Sequence, residues 1–335
     1  MTIKELAKEL NLSFSTVSKA LRDSHEISDK TKQTVLGKAK ELNYQVNPFA
    51  SSLRNQKTKT IAVVIPEVVN DFFGPVINGI ESIAQEKGYH VLIYLTHEDL
   101  QKEINITRLL QNGRVDGVMI SISAQTDEIK HLETLKEKGI PMVFFDRVVS
   151  EISGPKVITN DFRSSFQATE HLIENGCRKI AFLSISKNLS ISDKRTQGYL
   201  EALKKHNIAF DNDLLQFYDI NNSTNFEIVK KLLSKSDRPD AIFASVENLA
   251  ILSYEVSKVL NLRIPEDIKI LCFSNLKTVN LLNPPMTTIT QPAFEIGRES
   301  ADILFKLIEK KGEHFLKENT VIDSELIIRD STIAI

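Results

Sequence analysis

Thr2-Ile-Lys-Glu5 opens the chain, and Asn11-Leu-Ser-Phe-Ser-Thr-Val-Ser-Lys-Ala-Leu-Arg22 decides how its first domain folds. The threonine hydroxyl takes an N–H at a helix start, and a glutamate three residues on reaches back, so the opening is a capping box. Ile3, Leu6, Ala7 and Leu10 then recur at helical spacing. Asn11-Leu12-Ser13 breaks that helix, Asn11 being a residue that tolerates a left-handed turn. Ser13 caps a second helix from Phe14 to about Arg22, with Phe14, Val17, Ala20 and Leu21 facing inward. Ser15, Thr16, Ser18, Lys19 and Arg22 face outward, a surface of hydroxyls and bases without a carboxylate. Two helices joined by so short a turn form a helix-turn-helix, whose second helix enters the DNA major groove by its N-terminus.

The surroundings carry the charge such a reader needs. Residues 1–59 hold 11 Lys and Arg against 6 Asp and Glu, a net of +5, while the remainder carries −7. A basic head on an acidic body suits phosphate binding. A third helix, capped by Ser28 or Asp29, is expected to bury Val35, Leu36, Ala39 and Leu42 and to end near Asn43-Tyr44. Beyond it lie Asn47-Pro-Phe-Ala50-Ser-Ser-Leu53-Arg54 and the polar run Asn55 to Thr60. Eight residues make one or two helical turns, too short to be stable alone in water. That segment is expected to order only when docked; read by itself, Leu53 also fits burial against the body.

After Thr60 the pattern changes. The apolar runs Ile61–Ile65, His90–Leu95, Val118–Ile122 and Met142–Phe145 alternate with helical stretches. A second series, Lys179–Ile185, Leu215–Tyr218, Ala241–Ala244 and Ile268–Phe273, repeats the pattern. Strands apolar throughout and joined by helices predict parallel sheets covered on both faces, hence two doubly wound subdomains. Ligands of such sheets bind outside the carboxyl ends of the strands. The polar and aromatic residues found there are Asn70, Phe72, Phe73, Asp146, Arg147, Asn160-Asp161, Ser184, Ser186, Glu247 and Asn275, with Arg195 opening the helix after Ser186. Carboxylates, amides and guanidiniums among aromatic plates suit a hydroxyl-rich molecule, whose hydroxyls both donate and accept. Blander readings exist: Asp146-Arg147 as an ion pair, Asn70 as a helix cap, Asn275 as a turn former.

The ordered set Thr2-Ile-Lys-Glu-Leu-Ala-Lys8, Leu12-Ser13, Ser15-Thr-Val-Ser-Lys19, Asn47-Pro48, Leu53-Arg54, Ile65-Pro66, Asn70-Asp-Phe-Phe73, Val115-Asp-Gly-Val118, Phe145-Asp-Arg147, Gly198-Tyr199 and Pro265-Glu-Asp267 closely resembles the LacI/GalR family of bacterial transcriptional regulators. The resemblance runs through nearly the whole chain. It implies an all-α helix-turn-helix head with a hinge helix, then an α/β body of two doubly wound parallel-sheet subdomains, periplasmic-binding-protein-like in form. Expected bounds are 1–46 for the head, 47–59 for hinge and linker, and 60–335 for an effector and dimerisation domain. Within the body, 60–158 plus 290–318 would form one lobe and 159–289 plus 319–335 the other. A helix near Ala293–Glu309 would return to the first lobe, and a final strand near Val321–Arg329 would belong to the second.

By the same resemblance, Phe14, Ser15, Thr16 and Lys19 read bases, and Thr2, Ser13, Ser18, Arg22 and Asn47 are available to phosphates. Ala50, Leu53 and Arg54 lie in the hinge, with Leu53 wedged between central base pairs of the minor groove. Asp146, Arg195 and Asn275 match effector-contacting positions. Two departures bear on specificity: Val246-Glu247 stands where Asn-Asp is usual, and Lys19 where Arg is common. The resemblance implies a homodimeric repressor on double-stranded operator DNA, controlled by a sugar or sugar derivative. A ligand-dependent activator and a cytoplasmic sugar-binding protein without DNA function are the other readings.

Exclusions agree. Cys177 and Cys272 lie in apolar stretches without CxxC spacing, so neither disulfide nor metal is expected. No GxGxxG after the first strand, P-loop, HExxH or G-x-S-x-G occurs, so no cofactor and no enzyme activity are expected. A capped amphipathic helix in place of a signal h-region predicts a cytoplasmic protein, and no apolar run predicts a membrane span. Absence of leucine heptads after Arg329 points to a dimer.

Overall fold

A computed structural model describes residues 1–44, 58–218, 224–309 and 319–333. The chain divides into two compact units, Met1–Thr58 and Lys59–Ile335. In the first, α1 (Ile3–Glu9), α2 (Phe14–Ala20) and α3 (Asp29–Glu41) surround Leu6, Val17 and Val35, all fully buried. The capping box forms: Thr2 N–H donates to Glu5 Oε2 at 2.8 Å, and Glu5 N–H to Thr2 Oγ1 at 3.3 Å. Asn11 takes φ +52° at the break, so the turn closes without glycine. Leu36 departs from expectation. It is 52% exposed, because Val35, Ala39 and Leu42 form the buried i, i+4, i+7 stripe and Leu36 stands one residue off it.

The second unit holds two sheets of related winding. In the first, β1 (Thr60–Ile65), β2 (His90–Leu95), β3 (Gly117–Ile120), β4 (Met142–Phe145) and β5 (Lys156–Thr159) run parallel in the order β5-β4-β3-β1-β2. In the second, β6 (Ile180–Ile185), β7 (Leu215–Tyr218), β8 (Ala241–Ala244), β9 (Lys269–Phe273) and β10 (Thr287–Thr290) follow β10-β9-β8-β6-β7. Both chains of crossovers reverse beside their first strand, between β1 and β3 and between β6 and β8. Such switch points open a crevice outside the strand ends.

The helices are amphipathic and cover the sheets. On the first lie α4 (Phe73–Glu86), α5 (Leu100–Leu110), α6 (Lys130–Glu137) and, after a return of the chain, Ala293–Ile308. On the second lie α7 (Asp161–Glu174), α8 (Ser190–Lys205), α9 (Asn225–Leu233) and α10 (Glu247–Val259); the returning helix is α11. The expectation of strands buried on both faces fails at β2, where Leu92 and Ile93 are 41% and 44% exposed. That strand is the sheet edge, where among the described residues one flank has no neighbouring strand.

The expected final strand Val321–Arg329 is two strands. β11 (Asn319–Ile322) pairs parallel with β5 in the first sheet, whereas β12 (Glu325–Ile327) pairs antiparallel with β10 in the second. The second-lobe span expected from 319 is therefore corrected, since 319–322 belong to the first lobe. Asp323-Ser324 supplies the break, and Ser324 N–H donates to Asn160 Oδ1 at 2.9 Å where the chain crosses.

Candidate functional site

Each body lobe sends polar side chains from its strand ends into one cleft of about 610 Å³, mouth included. Of the twelve body residues singled out in the sequence, Asn160, Asp161, Ser184 and Ser186 do not line it, whereas eight do: Asn70, Phe72, Phe73, Asp146, Arg147, Arg195, Glu247 and Asn275. Their individual duties differ. Asn70 caps α4, its Oδ1 accepting from Phe72 N–H at 3.3 Å and Phe73 N–H at 3.1 Å, while its Nδ2 donates to Glu67 Oε1 at 2.9 Å. Phe73 is buried and meets Phe145 edge to face, so it is chiefly core; Phe72, half-buried, meets Phe73 at 5.2 Å.

Asp146 follows β4 in a left-handed conformation, φ +58°, which aspartate accepts more readily than most residues. Burial pushes its carboxyl above the ordinary range, and Arg147 and Arg195 oppose that shift. Arg147 donates from Nη1 to both carboxylate oxygens of Glu98 at 2.8 Å. Its Nε is buried without a hydrogen-bond partner among the described residues and lies 4.0 Å from Asp146 Oδ2. Arg195 donates through Nε to Asp161 Oδ1 at 2.6 Å and through Nη1 to Ser245 O at 2.7 Å. Its guanidinium stacks 3.7 Å from the Phe273 ring centroid. Glu247 begins α10, where its Oε1 accepts from Ser274 Oγ at 2.8 Å and Asn275 N–H at 2.6 Å. Burial raises its pKa, and these hydrogen bonds oppose the rise.

Asn275 spends its amide on the crossover strand. Nδ2 donates to Gln291 O at 2.7 Å, and Oδ1 accepts Gln291 N–H at 3.2 Å. Sequence reading missed Gln291, Ser245, Ser274 and Asn248, all in the lining. Gln291 follows β10 directly, so the strand-end rule that found Asn275 would have found it too. Of the other strand-end polar groups, Ser184 is fully buried, and Ser186 donates to Ala124 O at 3.0 Å. Among the described residues no cluster of His, Cys, Asp or Glu could hold a metal, and no helix is long and apolar enough to cross a membrane.

In the head, Ser13 Oγ accepts Thr16 N–H at 3.0 Å, and Ser15 and Arg22 are exposed. Lys19 pairs with Glu26, both partners facing water. Two orientations differ from expectation. Phe14 is 48% exposed because Cα–Cβ bonds tilt toward a helix N-terminus, which carries a first-turn side chain past the packed layer. Ser18 is buried, since it lies beside Val17 and three residues before Leu21 at the border of the packed face, where a small hydroxyl fits. Asn47, Ala50, Leu53 and Arg54 lie outside the described residues, as does the expected hinge helix.

Residues 2–47 match the model of bacterial regulatory proteins of the lacI family, and residues 58–330 that of periplasmic binding proteins and the sugar binding domain of the LacI family. The chain belongs to the LacI family. A curated relative, the HTH-type transcriptional repressor PurR of Vibrio vulnificus, is 32% identical over 98% of each chain. A solved complex of the transcriptional regulator CelR with cellobiose is 25% identical, TM-score 0.74, covering 99% of each chain. The lac repressor dimer bound to operator and an anti-inducer is 21% identical with TM-score 0.86, covering 100% of this chain and 99% of that one, and shows the shared fold. LacI-family membership makes the chain a DNA-binding transcription regulator of the repressor type with a sugar-binding domain.

The raised Asp146 pKa has a stability consequence. The native state holds that proton more tightly than the unfolded chain, so the stability this group contributes is full below the ordinary carboxylate pKa of 3.8 and is lost as pH rises through the raised native value. Asp146→Asn, which also tolerates positive φ, is expected to raise the melting temperature at pH 7, the gain vanishing as pH falls toward 4. Thermal scans across that range check it; an equal shift at both ends would assign the effect elsewhere.

Proposed function

We propose that the chain is a homodimeric repressor that binds a pseudo-palindromic operator and is controlled by a sugar or sugar derivative held in the body cleft. The observation that supports it best is the pairing of a capped, carboxylate-free reading surface on α2 with a cleft of buried charges outside the strand ends. On this reading Phe14, Ser15, Thr16 and Lys19 face base edges, the exposed Phe14 being suited to a thymine methyl. Thr2, Ser13 and Arg22 serve phosphates. Ser18, buried, supports the reading helix from within. The hinge at Asn47, Ala50, Leu53 and Arg54 orders on the minor groove, and effector binding at Asp146, Arg147, Arg195 and Glu247 uncouples it. Asn70 and Asn275 hold the walls. The protein works in the cytoplasm on the nucleoid and performs no catalysis.

Lys19→Ala tests the reading. Its exposed pairing with Glu26 is readily exchanged for a base, so truncation is expected to lower discrimination by about 1–3 kcal/mol, roughly 5- to 150-fold. Operators selected from a random duplex library and measured by mobility shift supply the readout. Unchanged preference at every position would remove Lys19 from the readers; absence of any selected sequence would overturn the DNA function.

A further inference from the structure

Both cleft arginines are already neutralised from behind. Arg147 gives Nη1 to the two Glu98 oxygens, and Arg195 gives Nε to Asp161; all four side chains are nine-tenths buried or more. Three further carboxylates, Glu67, Asp146 and Glu247, line the cavity, and among the described residues its lining holds no lysine or histidine. The site and its supports thus set five carboxylates against two guanidiniums. Protonation of Asp146 and Glu247, both favoured by burial, reduces that excess to three against two without reversing it.

What remains open is a donor and a set of acceptors. Among the described residues Arg147 Nε is a buried N–H with no hydrogen-bond partner, on a side chain in the cavity lining, and a ligand oxygen can satisfy it. Carboxylates in the same lining accept hydrogen bonds, so the ligand must present O–H or N–H groups to them. A hydroxyl satisfies both demands at once. The phosphoryl group of an ester satisfies only the first at the position it occupies, and brings up to two negative charges into a cleft with an excess of carboxylates, a like-charge placement that costs heavily once water is excluded.

We infer that the cleft takes an uncharged polyhydroxylated ring and rejects its phosphate ester. The inference rests on the cleft being the effector site and narrows its ligand to the unphosphorylated member of each pair. Glu98 and Asp161 are the residues that set this preference, although neither lines the cavity.

The full-length protein is titrated calorimetrically with ribose, glucose, cellobiose and cytidine, with their phosphate esters, and with inorganic phosphate. The expected result is saturable binding of at least one parent compound, with its ester weaker by on the order of 100-fold. No saturable binding of inorganic phosphate is expected. Glu98→Gln, which keeps the shape but frees the Arg147 charge, should narrow the gap between parent and ester. A panel in which only esters bind, an ester that equals its parent, or phosphate binding lost in Arg195→Lys overturns the inference. Failure of the underlying site assignment looks different: a parent compound binds, and Asp146→Asn and Arg195→Lys leave its affinity unchanged.

Discussion

Arg195→Ala is expected to abolish binding of the effector and to cost about 3–5 kcal/mol of stability, because it strands a buried carboxylate. Asp161 loses the Nε donor at 2.6 Å in a position 5% exposed, and Ser245 O loses the Nη1 donor. The Phe273 ring loses the cation stacked on it. An exposed ion pair would be worth little, and burial makes the difference: Asp161 cannot recover its partner from water. The companion Asp161→Ala should be similarly damaging, whereas the double replacement should recover much of the stability, since no orphaned charge remains. Ligand binding should stay lost in all three. Thermal unfolding and calorimetry on the four proteins give the cycle; additive losses would mean that the two residues do not act as a pair.

Eight residues of the cleft lining were legible, and so was Asp161 as a strand-end group; Gln291, Ser245, Ser274, Asn248 and the supporting Glu98 were not. Strand ends are marked locally, by an apolar run such as Met142–Phe145 giving way to Asp146-Arg147, and physics places ligands there. Glu98 carries no such mark; Asp161 carries it after Val157-Ile158, although its pairing with Arg195 does not show in the sequence. They stand 49 and 34 residues from the arginines they hold, and only the packed sheets bring each pair together. The parallel sheets of the body followed from the apolar runs and the helices between them, because Ile61–Ile65 and Ala241–Ala244 are too uniformly apolar for a half-exposed strand. The periplasmic-binding-protein-like form followed from the family resemblance. Finer placement failed where a single residue sits at an end or edge. Phe14 was assigned inward by type, yet a first-turn position decides; Val321–Arg329 was one run by composition, yet the break at Asp323-Ser324 sends its halves to different sheets.

Gly198→Ala is expected to destabilise the body by about 3 kcal/mol, the upper end of what overpacking usually costs. A methyl at Gly198 would overlap the Phe162 carbonyl oxygen and come within 2.9 Å of Phe166 N and the Ser165 Cβ. These are largely backbone atoms of α7, so relief requires α8 to move as a whole, because no side chain can rotate away. Three residues earlier on α8 stands Arg195, whose carbonyl accepts the Ser165 hydroxyl at 2.5 Å, and α8 also carries Ile191 of the cleft lining. Shifting α8 therefore lengthens the Arg195–Asp161 contact, which adds loss of effector affinity to loss of stability. Gly37→Ala provides the contrast. Nothing lies within 4 Å of a methyl there, within α3, and alanine's better helix propensity should stabilise the head by about 1 kcal/mol. Denaturant unfolding of both variants, read beside ligand titration, separates the cases. If Gly198→Ala binds effector as the parent does, close approach of α7 and α8 has no part in aiming Arg195.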